Sequence, residues 1–167
     1  MVDTPKYALV EIERRWLADL AAVDGLISHP FREIDDLYVA ESRLRLRRVT
    51  GPAAEVTFKL GKKYGWCGPF SEPITNVYLT EREYQRLSSL PGERTRKRRY
   101  ELSGGSLDVY LEPVGGIAVF EIEFRDERSA EIYQPPSFAI REITHDTAFT
   151  GAALARIGAQ RPNEKGV

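Results

Sequence analysis

Apolar and polar residues alternate along most of this chain, and a period of two is typical of β-strands with one apolar face. Glycine and proline separate the alternating segments and mark the turns between them. The predicted strands are Tyr7–Leu17, Phe31–Val39, Ser42–Val49, Glu55–Lys62, Ile74–Leu79, Arg94–Leu102, Leu107–Glu112, Gly116–Phe124 and the short Ile140–Thr144. The predicted helices are Ala18–Ile27, Thr80–Leu90, Arg128–Tyr133 and Asp146–Ile157. This order of elements is typical of an antiparallel-rich α+β fold.

The polar faces of these strands are strongly charged, and the two signs lie on different strands. Acidic residues cluster on the first and the last long strand, whereas the strands between them carry Arg43, Arg45, Arg47, Lys59, Lys97 and Arg99. An open sheet could expose these faces to water, and a closed barrel would enclose them under an apolar exterior. Alternation alone does not distinguish the two. The segregation of charge favours the enclosed arrangement, because surface charge is usually mixed within a strand.

Two matched pairs of carboxylates stand near opposite ends of the chain, Glu11 with Glu13 and Glu121 with Glu123. Residues two apart in a strand point to the same face, so each pair projects its carboxylates together. Neighbouring carboxylates repel each other unless a cation or a basic side chain lies between them. Both a divalent metal site and a salt-bridged sheet surface would satisfy this pattern.

The composition of the chain narrows the classes of molecule that it is expected to bind. The chain has 167 residues and a net charge of −1, which argues against non-specific nucleic-acid binding as its main role. No apolar run approaches membrane-spanning length, so a membrane is not an expected partner. The single cysteine, Cys67, excludes an intramolecular disulfide, and together with the lack of an apolar signal region it favours a cytoplasmic location. One domain is expected over residues 1–158, followed by a flexible tail over 159–167.

Seven short motifs in a fixed order resemble the CYTH family, the triphosphate tunnel metalloenzymes. The first is Glu11-Ile12-Glu13-Arg14-Arg15, which matches the family's Glu-x-Glu-x-Lys hallmark on the first strand. The others are Leu44-Arg45-Leu46-Arg47, Thr57-Phe58-Lys59, Lys97-Arg98-Arg99-Tyr100, Leu107-Asp108-Val109, Glu121-Ile122-Glu123 and Glu142-Ile143-Thr144. The resemblance extends from about Tyr7 to Ala155. Each motif alone is weak, and their order and spacing give the resemblance its strength.

The resemblance implies an eight-stranded antiparallel β-barrel with a charged interior tunnel and flanking helices. Members of this family share triphosphate-bearing substrates and a requirement for Mg²⁺ or Mn²⁺. By analogy the metal ligands are Glu11, Glu13, Glu121 and Glu123, and the catalytic residues are Glu11, Glu13 and Arg15. The implied substrate-binding residues are Arg15, Arg45, Arg47, Lys59, Lys97, Arg99 and Asp108. Among these, Asp108 is expected to orient a basic residue or a metal-bound water.

Two departures from the family pattern affect what the resemblance implies. Arg15 replaces the hallmark lysine and offers a planar fork instead of a compact ammonium. Glu72, Ile74 and Asn76 stand where many members carry tunnel-facing arginine and glutamate.

We therefore expect a metal-dependent hydrolase of a small triphosphate, with inorganic tripolyphosphate as the first candidate. The alternatives are a class IV adenylyl cyclase and a non-catalytic module that binds a triphosphate or nucleotide. The barrel wall could support a homodimer, for which the sequence has no signature.

Overall fold

The computed structural model describes residues 4–160, which form a closed β-barrel with helices packed against it. The strands in this range are β1 (Leu9–Ala18), β2 (Phe31–Val39), β3 (Leu44–Thr50), β4 (Val56–Lys63), β5 (Ser71–Leu79), β6 (Gly92–Leu102), β7 (Gly105–Tyr110), β8 (Ala118–Glu123) and β9 (Ala139–Glu142). The α-helices are α1 (Glu81–Leu87), α2 (Glu127–Ile132) and α3 (Gly151–Gln160).

The first strand closes the barrel. Eight strands follow one another in the order β5-β4-β3-β2-β6-β7-β8-β1, and β1 pairs back to β5. Every pairing is antiparallel. One edge of β1 pairs with β8, and its other edge pairs first with β5 through Leu9–Ile12 and then with β9 through Trp16–Ala18. The closed ring confirms the predicted eight-stranded antiparallel barrel, and β9 extends it as a short additional strand.

An aromatic cluster covers one outer side of the barrel. Its buried members are Trp16, Tyr100, Leu107, Ala118, Phe120 and Phe138. Trp16 and Phe120 are register partners on β1 and β8, with ring centroids 6.1 Å apart, and Tyr133 at the end of α2 packs on the other side of Trp16. Full burial of a side chain of this size contributes about 1.5–3 kcal/mol to folding. This cluster therefore anchors β1, and with it the charged residues that alternate with Trp16.

A second buried cluster lies on the inward side and involves the last helix. It consists of Tyr110, Val114, Val119, Ile143 and Leu154. Val119 shares its strand face with Glu121, and Tyr110 lines the central cavity. The helix α3 packs against β6 and β2 and places the fully buried Leu154 in this cluster. An apolar wall thus lies beside the charged interior.

Two predicted helices are wrong in their details. The segment predicted as a helix at Ala18–Ile27 contains two short 3-10 turns, Leu20–Ala22 and Leu26–Ser28, because Gly25 between them adopts a left-handed conformation with φ of 64°. The segment Asp146–Ile157 is also divided, since Thr150 has an extended backbone between a 3-10 turn and α3. The helix α3 continues to Gln160, two residues into the predicted tail, and residues 161–167 lie outside the described range. In the described part of the chain, every helix is too short or too polar to cross a membrane.

Candidate functional site

The inward faces of the barrel strands enclose a cavity of about 1220 Å³. Because side chains alternate along a strand, lining residues recur at a spacing of two, as Glu11, Glu13 and Arg15 do on β1 and Lys59, Gly61 and Lys63 do on β4. The predicted site residues that line it are Glu11, Glu13, Arg15, Arg45, Arg47, Lys59, Lys97, Arg99, Glu121 and Glu123. Asp108 is 2% exposed and lies in the wall behind them. The structure therefore places ten of the eleven predicted residues around one cavity and the eleventh, Asp108, in its wall.

Asp36 holds the arginines of β3 in place. It stands opposite Arg47 in the β2–β3 pairing and accepts two hydrogen bonds from that guanidinium, at 2.6 Å from Nε and 2.7 Å from Nη2. Arg45 approaches the same carboxylate at 3.8 Å. Burial alone would raise the pKa of Asp36, but Arg47 and Arg45 outweigh burial and hold it well below its ordinary value. Asp36 is therefore an ionised support that fixes both arginine forks at the cavity wall.

Asp108 supports the bases of β6 in the same way. Its carboxylate accepts a hydrogen bond from Lys97 Nζ and two from Arg99, both at 2.7 Å. Burial opposes ionisation of Asp108, yet Lys97 and Arg99 keep the pKa of this carboxyl far below its usual range. Burial also lowers the pKa of Lys97 to about 8, against the opposing effect of Asp108 and with help from the positive charge of Arg99. Lys97 is 5% exposed and remains mainly charged at neutral pH.

The acidic side of the cavity surrounds a lysine. Lys63 Nζ lies 2.9 Å from Glu13 Oε1, 3.2 Å from Glu72 Oε2 and 3.6 Å from Glu11 Oε2. Burial raises the pKa values of Glu11 and Glu13, and the charge of Lys63 only partly offsets this effect. The glutamates in turn raise the pKa of Lys63 against its own burial. This corner is a compact cluster of three carboxylates around one ammonium.

The other predicted glutamate pair faces the same cavity, and its member Glu121 contacts two arginines. Glu121 lies 3.5 Å from Arg15 Nε and 3.6 Å from Arg99 Nη2. Burial raises the pKa of Glu121, but Arg99 and Arg15 lower it to about 2. Arg15 also donates a 2.9 Å hydrogen bond to the carbonyl oxygen of Phe149, so its fork is fixed at both ends. Glu123 faces the cavity and is exposed.

The placed side chains do not fit a metal ion as they stand. Within residues 4–160, no three or more histidine, cysteine or carboxylate side chains are arranged as a group that could hold one. The charge contacts above account for this, since Lys63 stands between Glu11 and Glu13, and Glu121 faces two arginines. The oxygen donors are of the type that Mg²⁺ and Mn²⁺ prefer, but a cationic side chain fills the space between them. The predicted set of four metal ligands stays a prediction.

Asp36 and Lys63 belong to the site but were not among the predicted residues. Both follow the period of two: Asp36 shares a face with the cavity-lining Tyr38, and Lys63 continues the series Lys59, Gly61. The predicted fourth strand ended at Lys62, one residue too early to include Lys63. Tyr110 on β7 also lines the cavity and was not among the predicted residues.

Two aromatic rings stand at the rim of the cavity. Trp66 is 38% exposed, and its ring centroid lies 4.8 Å from that of His145 in an edge-on contact. Both residues line the cavity and lie in the loops after β4 and β9. From the sequence His145 was expected to be a loop residue, and it lies in the loop after β9. The neighbouring Cys67 is exposed and has a free thiol.

Comparisons with known proteins concern the fold. No protein-family model matches the chain, and the search of curated proteins gives no significant match. Among solved structures, the inorganic triphosphatase NE1496 is 23% identical, with a TM-score of 0.55 over 87% of this chain and 97% of that chain. A second structure of NE1496, described as a hypothetical protein, gives the same values. HpAC1 from Hippeastrum, described as an adenylyl cyclase candidate with a dominant triphosphatase activity, is 12% identical, covers 73% of this chain and 82% of that chain, and has a TM-score of 0.42. The chain therefore has the barrel fold of NE1496, and the resemblance read from its motifs is confirmed at the level of the fold.

Proposed function

We propose that this protein hydrolyses a small triphosphate held inside the barrel. The observation that carries the proposal is the ring of five basic side chains around one cavity, four of which contact the buried carboxylates of Asp36 and Asp108. The five are Arg45, Arg47, Lys59, Lys97 and Arg99. The fold shared with an inorganic triphosphatase supports the same substrate chemistry. Inorganic tripolyphosphate is the first substrate to test.

Binding follows from charge and from donor geometry. A tripolyphosphate carries several negative charges, and an arginine fork can donate two parallel hydrogen bonds to phosphate oxygens. Asp36 and Asp108 hold the arginine and lysine groups before substrate arrives, so little side-chain entropy is lost on binding. The cavity of about 1220 Å³ is at the upper end of the usual range for small-molecule sites and leaves room for an organic group.

Hydrolysis requires a water molecule in line with the departing phosphoryl group. Glu11 and Glu13 face the cavity from the side opposite the basic ring, and their raised pKa values make them better proton acceptors than ordinary carboxylates. In this proposal one of them orients the attacking water and takes its proton. The basic ring stabilises the negative charge on the leaving pyrophosphate oxygens.

We also propose that the activity requires Mg²⁺ or Mn²⁺. This requirement is supported by the all-oxygen donors of Glu11, Glu13 and Glu72 and by the usual role of such ions in phosphoryl transfer. A non-catalytic binding module is the second candidate, because Lys63 and Arg15 already neutralise much of the acidic wall.

One assay separates these functions. Purified protein is incubated with tripolyphosphate, thiamine triphosphate or ATP, with Mg²⁺, with Mn²⁺ or with a chelator, and the products are identified. Orthophosphate release from one of these substrates is the expected result. Cyclic AMP with pyrophosphate would instead identify a cyclase, and tight binding without any product would identify a binding module.

A matched pair of variants tests the basic ring. Arg47 faces the cavity and Arg48, its neighbour on β3, is exposed on the outer face. Arg47→Gln is expected to lower kcat/KM for tripolyphosphate by about 100-fold, the equivalent of a lost charge-assisted hydrogen bond pair. Arg48→Gln changes the net charge equally and should leave kcat/KM unchanged. Equal losses in both variants would show that the interior of the barrel is not the binding site.

A further inference from the structure

The ammonium of Lys63 takes the place of a metal ion in this barrel. We infer that Lys63 is a built-in cation of the acidic wall, and that a divalent metal ion can bind between Glu11, Glu13 and Glu72 only by displacing it. The inference deepens the proposed function and rests on it for its biological meaning, since the glutamates concerned are those assigned to the hydrolysis site. The competition between the Lys63 ammonium and a divalent metal ion can be measured whether or not the protein hydrolyses a triphosphate.

The geometry of Lys63 is that of a coordinated cation. It is the last residue of β4 and faces inward in the series Lys59, Gly61, Lys63. Its ammonium donates a 2.9 Å hydrogen bond to Glu13 and forms ion pairs with Glu72 at 3.2 Å and with Glu11 at 3.6 Å. Glu11 and Glu72 are directly opposed in the β1–β5 pairing that closes the barrel. The ammonium thus bridges β1 and β5, the two strands whose pairing closes the barrel.

A divalent metal ion and the ammonium of Lys63 cannot occupy the same position among the three glutamates. A divalent ion binds carboxylate oxygens at about 2.0–2.6 Å, so the three glutamate oxygens would have to close on an ion at the position of Nζ by about 0.3–1.6 Å. At such distances the positive charge of Lys63 would repel the ion, because the carboxylates of Glu13 and Glu72 are largely buried and water screens the repulsion only in part. The side chains of Glu13 and Glu72 are only 7% and 12% exposed. Metal binding therefore requires the lysine side chain to swing away.

The cluster retains enough negative charge to attract a metal ion. Three carboxylates and one ammonium leave a formal charge of −2 in the corner, before any protonation of the glutamates. The side chain of Lys63 is 34% exposed, so water reaches it and it has space to move. An anionic substrate in the basic ring would offer the displaced ammonium an alternative partner. Lys63 thus makes the free protein a weak metal binder without removing the metal ligands.

The experiment measures Mn²⁺ binding in the absence of substrate, by isothermal titration calorimetry and by the loss of the free Mn²⁺ electron paramagnetic resonance signal. Lys63→Gln is expected to bind Mn²⁺ at least about tenfold more tightly than the wild type, because one repelling charge has been removed from the site. Lys62→Gln is the matched control, since Lys62 is exposed on the opposite face of β4, with its ammonium 5.1 Å from the ring of Tyr64. It changes the net charge equally and should bind Mn²⁺ as the wild type does.

Equal or weaker Mn²⁺ binding by Lys63→Gln than by the wild type would overturn the inference. If Lys63→Gln does not fold, the same comparison is made between Glu72→Gln and the double variant Lys63→Gln/Glu72→Gln, in which one charge of each sign has been removed. Tighter binding by the double variant than by Glu72→Gln supports the inference, and equal or weaker binding overturns it. Because no substrate is present, absence of triphosphate hydrolysis would refute the proposed function while leaving the Mn²⁺ result standing.

Discussion

Asp108 shows how much of the site depends on residues that never reach the cavity. Asp108→Asn would leave the buried Lys97 without its ion-pair partner and Arg99 with only its 3.6 Å contact to Glu121. We expect the free energy of unfolding to fall by about 3–5 kcal/mol, as when one partner is removed from a buried ion pair. Urea denaturation of both proteins at pH 7 measures this fall in the free energy of unfolding.

The control for Asp108 is a carboxylate on the outer surface. Asp35 pairs with Arg96 at 3.3 Å, and these side chains are 32% and 59% exposed. Asp35→Asn should cost less than about 1 kcal/mol, because water screens a surface pair. If the two variants lose equal stability, Asp108 does not support the interior charges in the way the structure indicates.

Glu13 is the carboxylate whose loss should affect chemistry more than folding. Glu13→Gln removes a buried proton acceptor with a raised pKa, while Lys63 keeps its contacts to Glu11 and Glu72. We expect kcat for tripolyphosphate to fall by at least about 100-fold, a typical contribution of a general base. Circular dichroism should show a native fold.

The control for Glu13 is Glu33 on the outer face of β2, which lies 3.8 Å from Arg98. Glu33→Gln should hydrolyse tripolyphosphate at the wild-type rate. Wild-type turnover in Glu13→Gln itself would contradict the role assigned to Glu13.

At the scale of the elements, the sequence predicted the strands and the helices α1 and α2 well, and the segments Ala18–Ile27 and Asp146–Ile157 poorly. A period of two locates a strand and its inward residues, which is why Glu13, Arg47 and Lys97 could be assigned to the site. The period of two does not show which residues of neighbouring strands lie opposite each other. The contact between Asp36 and Arg47 could therefore not be predicted, because it depends on the register between β2 and β3.

The region after β1 was mispredicted for a local reason. Alanine and leucine between positions 18 and 27 favour a helix, but Asp19 caps only a single 3-10 turn and the left-handed Gly25 separates it from the next one. The seam between β1 and β5 was likewise not predicted, because pairing between strands distant in sequence leaves no signal in either strand alone.

The helix α1 begins with a capping box formed by Thr80 and Glu83. Thr80 accepts a hydrogen bond from the backbone of Glu83, and the Glu83 carboxylate accepts one from the Thr80 backbone at 2.7 Å. Thr80→Ala should lower the free energy of unfolding by about 1 kcal/mol, because one helix N–H loses its partner. Thr80→Ser retains the hydroxyl and should stay close to the wild type in the same urea titration. An unchanged Thr80→Ala variant would show that the cap contributes nothing.

For the molecule as a whole, closure of the barrel turns a near-neutral chain into two opposed charged walls. The net charge of −1 conceals an interior in which Asp36, Asp108 and Glu121 are ionised and surrounded by bases. An open sheet would have left the same residues in water with ordinary pKa values. The stability of the closed barrel is therefore linked to pH, and the sign of that linkage can be worked out group by group.

Glu121 gives the linkage a sharp test. Its pKa is lowered to about 2 in the folded state, whereas in the unfolded chain it returns to the ordinary value of 4.5. The unfolded state therefore binds the proton first as pH falls, so the stability that ionised Glu121 contributes is complete above about pH 5 and is lost towards about pH 2. Glu11 and Glu13 act in the opposite direction, because their folded pKa values are raised and their protonation favours the folded state as pH falls.

Comparison with Glu121→Gln isolates this one group from the others. The variant carries the neutral side chain at every pH, so its deficit in unfolding free energy relative to the wild type should be largest near neutral pH. The deficit should shrink steadily below about pH 4.5, because protonated Glu121 comes to resemble glutamine. Urea titrations from pH 7 down to the acid limit of folding measure it. A deficit that stays constant across this range would show that Glu121 is not held ionised by Arg15 and Arg99, and with it the enclosed charge pairing of the barrel would lose its support.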